Sequence, residues 1–148
     1  MKVVILAGGF GTRLAEYTKT IPKPMIKIGK HPIIIHIINH YINHGLKNFY
    51  IAAGYKSNII KRYFKNFRTS GKVFEAKIFD KKCNITIVDT GKKSLTGGRL
   101  KRIKKYLDKD VNFMFTYGDG VSDVDIKKLK KFHLKNKNLI TVTAVRPP

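Results

Sequence analysis

The segment Leu6-Ala7-Gly8-Gly9-Phe10-Gly11-Thr12-Arg13-Leu14 holds the residue types for gripping an anion; it follows the apolar run Val3-Val4-Ile5 and precedes Pro22-Lys23-Pro24-Met25. A buried strand opening into a glycine-rich turn brings bare backbone N–H groups to one point. Glycine leaves no Cβ in the way there and permits positive φ. Such a turn suits a chain of phosphates, and Arg13 and Lys23 would add fixed positive charge beside it. The spacing is neither the dinucleotide fingerprint nor a Walker A loop. Two later segments carry chemistry of the same kind. Val88-Asp89-Thr90-Gly91-Lys92-Lys93-Ser94-Leu95-Thr96-Gly97-Gly98-Arg99-Leu100 is a polar loop running into a helix start. It reads as an anion or base site, or simply as a capped loop. Tyr117-Gly118-Asp119-Gly120-Val121 is a common tight turn. A carboxylate between glycines at a strand's end also holds a hard cation well.

Those segments need a scaffold, and hydrophobic periodicity supplies one. Strands are expected at Lys2 to Ala7, Asn48 to Ala53, Ile85 to Val88, Asn112 to Tyr117 and Leu139 to Val145. Helices are expected from Pro32 to Asn43, with Gly45 as a stop, and from Ser57, as a cap, through the stripe Ile59, Ile60, Tyr63, Phe64 and Phe67. Two more run from Gly98 to Leu107 and, capped by Asp123, from Val124 to about Lys137, burying Ile126, Leu129 and Phe132. The stretch Thr69 to Asn84 reads as an irregular excursion. This alternation predicts an α/β fold: a Rossmann-like, mostly parallel sheet with helices on both faces. Ligands of such sheets gather beyond the carboxyl ends of the strands, where the loops at 8–14, 54–56, 89–98 and 118–123 would meet.

A chain of 148 residues, 43% hydrophobic, reads as one domain, residues 1–148. No apolar run is long enough to span a bilayer, and no secretory leader is legible, so the expected location is cytoplasmic with no membrane partner. The single cysteine, Cys83, permits no internal disulfide and has no partner base nearby in sequence. A net charge of +22 attracts polyanions. The lysines of Lys101-Arg102-Ile103-Lys104-Lys105 and Lys127-Lys128-Leu129-Lys130-Lys131 alternate with apolar residues at helical spacing, however. They read as solvated helix faces, without a specific nucleic-acid motif. His36, His40 and His44 share one helix side, opposite Ile34, Ile35, Ile38 and Ile42. They read as a solvated polar stripe in preference to a zinc site.

The glycine turn, with Gly-Thr-Arg-Leu followed by Pro-Lys-Pro-Met, resembles that of the sugar-phosphate nucleotidyltransferases. The Asp-Thr-Gly, spacer, Thr-Gly-Gly-Arg segment and Phe115-Thr116-Tyr117-Gly118-Asp119-Gly120-Val121 resemble the glucose-1-phosphate cytidylyltransferase branch. Ser94 stands where that branch usually has threonine, and Glu16 stands where thymidine- and uridine-using branches usually have proline. The resemblance implies a truncated nucleotidyltransferase fold, incomplete at its carboxyl end. It implies transfer from CTP to a sugar 1-phosphate, glucose 1-phosphate in this branch, with Mg²⁺ as cofactor and Asp119 as its ligand. The fragment could also be an inactive nucleotide-binding module, or act as a thymidylyl- or uridylyltransferase. By the same carry-over, Leu6, Ala7, Gly8, Gly9, Gly11, Thr12, Arg13, Lys23, Ser94, Arg99 and Gly118 bind nucleotide, and Arg13 and Lys23 are catalytic. The family's products usually feed surface-polysaccharide synthesis, and a homo-oligomer is left open.

Overall fold

The computed structural model describes residues 1–11, 18–65, 67–107 and 112–146. Its main sheet has six strands: β1 (Val3–Ala7), β4 (Asn48–Ala53), β5 (Arg68–Ser70), β6 (Val73–Ile78), β7 (Lys81–Asp89) and β8 (Met114–Tyr117). A two-stranded ribbon, β2 (Lys27–Ile28) with β3 (His31–Pro32), stands apart. The helices are α1 (Ile33–Asn43), α2 (Ser57–Phe64), α3 (Thr96–Leu107) and α4 (Ile126–Asn136). In the order β5-β6-β7-β4-β1-β8, the pairs β7–β4, β4–β1 and β1–β8 are parallel, and β5–β6 and β6–β7 are antiparallel. All five β1 residues are buried, as an apolar run flanked by parallel strands requires.

Successive residues of β1 and β4 face opposite sides and build two cores. Val3, Ile5, Phe49 and Ile51 pack with Ile34 and Ile38 of α1, Ile60 and Phe64 of α2 and Ile126 of α4. Val4, Leu6, Ala52 and Val88 pack with Ile103 and Leu107 of α3. The predicted helices on both faces are therefore present. So is the fourfold gathering of loops at one edge, because β1, β4, β7 and β8 all run the same way.

Several local expectations are corrected. The irregular stretch is a β-meander that extends β7 back to Lys81. Its tight turn at Phe79 and Asp80, with φ of 43° and 65°, lacks the glycine or asparagine that usually marks a hairpin. Asp125, not Asp123, caps α4, its carboxylate accepting from Lys128 N–H at 2.9 Å. Ser57 is the first residue of α2, after Lys56 in the left-handed region, and makes no side-chain cap. Phe132 is exposed and Leu129 half-buried. Finally, 139–145 forms no strand. Its β-branched residues have the propensity, but a strand exists only through pairing, and Leu139, Ile140, Val142 and Val145 lie exposed without a ladder.

The histidine stripe is half-buried and used for tethering. His36 meets the Ile28 carbonyl at 3.0 Å, His40 that of Val124 at 2.9 Å, and His44 that of His40 at 2.8 Å. Among the described residues no cluster of potential metal ligands forms.

Cys83 is buried on β7, and burial pushes its thiol up to about 11 from 9.0. The unfolded chain loses that proton first, so this group subtracts stability as pH climbs from 9.0 to about 11. Urea titrations of wild type and Cys83→Ala should differ less at pH 11 than at pH 8, the gap narrowing by about 2 kcal/mol. A constant gap would refute the shift.

Candidate functional site

β1 delivers the chain to the crossing edge of the sheet, and the surroundings of its tip set the conformation of the glycine turn. The side chains of Leu6 and Ala7 are buried in the sheet, so only their backbone could meet a ligand. Leu6 carbonyl already accepts from Gly118 N–H at 2.8 Å. Gly8 is buried, and Gly9 and Phe10 are exposed. Gly11 has a φ of +67°, and its carbonyl accepts from Thr18 Oγ1 at 3.1 Å. A Cβ on Gly11 would lie 2.7 Å from the Thr18 methyl. The turn thus closes back on itself at Gly11. Thr12, Arg13 and Glu16 lie outside the described residues.

Pro22-Lys23-Pro24-Met25 makes a tight 3-10 turn. Met25 N–H donates to Pro22 carbonyl at 2.8 Å, and Ile26 N–H to Lys23 carbonyl at 3.1 Å. Pro24 and Met25 are buried, which fixes the stem of Lys23 while its amine reaches outward. Pro24 also sets the partner loop: a Cβ on Gly118 would stand 3.1 Å from Pro24 Cγ and 2.6 Å from Leu6 carbonyl oxygen. Only glycine allows β8 to end so close to β1. The result is an ion pair, Lys23 Nζ to Asp119 Oδ2 at 2.6 Å, with each side chain about one-third exposed (31% and 34%). Residues almost a hundred positions apart thus join at the tip of the opening strand.

Asp119 could hold a divalent cation as one carboxylate among other oxygen ligands, since it belongs to no cluster of three or more potential metal ligands among the described residues. That fits Mg²⁺, which keeps several waters and is commonly bound through one or two carboxylates plus substrate phosphates. It does not make a self-sufficient protein cage.

The third loop behaves differently from expectation. Ser94 Oγ accepts from Arg102 at 2.5 Å, so the hydroxyl is engaged within its own loop. Arg99 is buried, 4% exposed, with its guanidinium behind the glycine turn. It donates to Gly8 carbonyl at 2.7 Å, Thr90 Oγ1 at 2.7 Å, Gly91 carbonyl at 2.9 Å and Ala53 carbonyl at 3.3 Å. Burial lowers its pKa, the charge of Arg102 adds to that, and Asp89 opposes it. Arginine keeps its proton nonetheless.

Two contributors, Thr90 and Gly54, were not singled out as site residues, and Tyr55 only weakly. Thr90 is fully buried, and its hydroxyl bridges Ala53 carbonyl at 2.6 Å and Arg99. Gly54 leaves room for the same guanidinium. Tyr55, only faintly indicated by its place after β4, straddles the glycine turn. Its N–H donates to Gly8 carbonyl at 3.2 Å, its hydroxyl to Thr18 carbonyl at 3.1 Å, and its ring lies 5.1 Å from that of Phe10. A groove of about 650 Å³ lined by Leu46, Met114, Ile126 and several lysines of α4 contains none of these residues.

A parallel-sheet edge with a glycine turn, a lysine and a carboxylate is the setting of a phosphate-handling α/β protein. Residues 2–148 match the nucleotidyl transferase family, to which the chain belongs. It is 48% identical over 158 residues to the glucose-1-phosphate cytidylyltransferase of Salmonella typhimurium, covering all of this chain and 62% of that protein. With the probable glucose-1-phosphate cytidylyltransferase of Bacillus subtilis it shares 36% over 154 residues, covering 98% and 60%. Among solved structures, HddC from Yersinia pseudotuberculosis complexed with GMP-PN superposes with a TM-score of 0.70 at 27% identity, covering 90% of this chain and 54% of that one. A UDP-glucose pyrophosphorylase shares the fold, with a TM-score of 0.71 at 21% identity, covering 92% and 54%. The chain spans about three-fifths of the length of the curated cytidylyltransferases it matches.

The two glycines flanking Asp119 should respond oppositely to alanine. Gly118→Ala drives a Cβ into Leu6 carbonyl and should cost about 1–3 kcal/mol. Gly120→Ala meets nothing within 4 Å and should leave stability within about 0.5 kcal/mol. Urea midpoints measure both, and equal midpoints would contradict the packing of Pro24 against β8.

Proposed function

We propose that this chain supplies the nucleotide half of a glucose-1-phosphate cytidylyltransferase: CTP and glucose 1-phosphate give CDP-glucose and pyrophosphate. The observation that carries the reading is the meeting of Lys23 and Asp119 at 2.6 Å beside the glycine turn. It supports the reading because a cation suited to phosphate and a carboxylate suited to a metal ion stand together beside the turn. The names of the curated relatives support the choice of CTP and glucose 1-phosphate.

The reaction asks little covalent chemistry of the protein. A phosphate oxygen of the sugar phosphate, largely ionised at neutral pH, attacks the α-phosphorus of CTP. The bond from that phosphorus to the bridging oxygen of the β-phosphate breaks, and pyrophosphate leaves with its electron pair. No general base and no covalent intermediate are required. Alignment and charge neutralisation carry the catalysis. Amides of Gly8, Gly9 and Gly11 would hold the triphosphate, with Thr12 beside them. Arg13 would steady the departing β- and γ-phosphates. Lys23 would bridge the incoming phosphate and the α-phosphate, exchanging Asp119 for phosphate oxygen when ligand arrives. Asp119 would hold Mg²⁺, which when bound polarises the α-phosphate and screens like-charge repulsion. Ser94 would reach the nucleotide once released from Arg102, and Gly118 would frame the carboxylate.

Pyrophosphate release by this chain, with each nucleoside triphosphate in turn, should require CTP, glucose 1-phosphate and Mg²⁺ together. Binding of CTP without release would assign it the inactive nucleotide-binding role, and a preference for UTP or dTTP would move it to another branch. Lys23→Ala should lower turnover about 100-fold or more while loosening CTP only slightly; unchanged turnover would remove Lys23 from this role. Gly9→Ala, whose Cβ meets no atom of the described residues within 4 Å, should fold normally yet weaken CTP by obstructing the phosphates.

A further inference from the structure

Arg99 has an environment that a ligand-facing arginine does not need. Every hydrogen bond it makes among the described residues goes to a neutral oxygen, and none to a carboxylate. Burying a guanidinium that way is costly, so the arrangement must hold something that matters. The oxygens it collects belong to the ends of three parallel strands: Gly8 after β1, Ala53 at the end of β4, and Thr90 and Gly91 after β7.

Two glycines are shaped around this side chain. Neither Gly8 nor Gly54 has positive φ, so neither is needed for a left-handed turn. A Cβ on either would overlap the guanidinium. Gly8, read in the sequence as part of a flexible phosphate turn, is therefore small in order to admit Arg99 beneath it.

The consequence falls on the next peptide. Gly8 carbonyl accepts from both Arg99, at 2.7 Å, and Tyr55 N–H, at 3.2 Å, which uses both of its lone pairs. In a planar trans peptide the N–H points opposite to the C=O. Holding Gly8 carbonyl inward thus turns the N–H of Gly9 outward. Gly9 is exposed, and among the described residues its N–H meets no acceptor and nothing lies within 4 Å of where a Cβ would stand.

We infer that Arg99 is a positioning residue: from behind the glycine turn it orients the Gly8–Gly9 peptide so that Gly9 N–H faces the triphosphate, and it lends the turn a positive charge without touching the ligand. The inference rests on the nucleotide reading above. It replaces direct contact between Arg99 and nucleotide with an effect carried by the backbone. Lysine could not substitute, because a single ammonium cannot span three strand ends as a planar fork does.

The test combines an amide signal with binding. In the nucleotide-free protein, Arg99→Lys should shift the ¹⁵N–¹H resonance of Gly9. It should weaken inorganic tripolyphosphate and CTP by a similar factor, about tenfold or more. The order of preference among CTP, UTP and GTP should not change. Thr90→Val, which removes one acceptor while keeping shape, should move the same resonance in a smaller step and serves if Arg99→Lys does not fold. Intact wild-type binding with Gly9 unmoved in both variants, or a loss confined to CTP with tripolyphosphate unaffected, would overturn the inference and restore a direct contact. A wild-type chain that binds neither CTP nor tripolyphosphate would instead overturn the nucleotide reading, and this inference with it.

Discussion

A guanidinium surrounded by neutral oxygens is the tie on which the edge of this sheet depends. Parallel strands finish with their last carbonyls directed at one crevice, and nothing in the ladder satisfies those beyond the final pair. Arg99 answers three such ends at once. The loops after β1, β4 and β7 therefore keep a common geometry, although each is short of side chains that could pack. The cost of burying the charge is offset by charge-assisted bonds to these oxygens, shared at Gly8 with Tyr55 N–H and at Ala53 with Thr90 N–H. Thr90, fully buried, adds a neutral hydroxyl to the same cluster and closes it against Ala53.

On the other side of β1 the tie is ionic. Lys23 and Asp119 arrive on two rigid supports, a proline-bracketed turn and a glycine that seats β8 against Pro24. A pair this exposed contributes little to stability. Its significance lies in placement. The two charges neutralise one another where phosphate and a cation would each find a partner, and a ligand carrying both can take over the pair without leaving either side chain unmatched. The lysines of the last two helices lie exposed, in keeping with their alternation with apolar residues.

Much of this was legible in the sequence, for identifiable reasons. Apolar runs ending at glycine marked β1, β4 and β8. The 3.6-residue stripes marked all four helices, because burial of one face is what those helices are for. The edge at which the site forms followed from the alternation of strands and helices. The meander from β5 to β7 was hidden, because its turn uses Phe79 and Asp80 at positive φ, residues that do not announce one. The strand expected at 139–145 showed the opposite failure: its pattern was right, but pairing is decided by what lies alongside and not by the segment itself. Arg99 was noticed for its motif, yet no local pattern distinguishes an arginine that meets solvent from one that is enclosed.

Composition and spacing alone determined the class of fold, the glycine turn at the tip of β1 and the residue types suited to phosphate. They did so because backbone freedom, burial and charge are properties of the local chain. Tertiary structure decided which of those residues meet. It joined Lys23 to Asp119, turned Ser94 toward Arg102 and set Arg99 beneath Gly8. The physical reason is that the sheet order sets β1 between β4 and β8, so residues far apart in sequence meet at one edge, while Ser94 meets Arg102 only because the helix that follows its loop turns that side chain back.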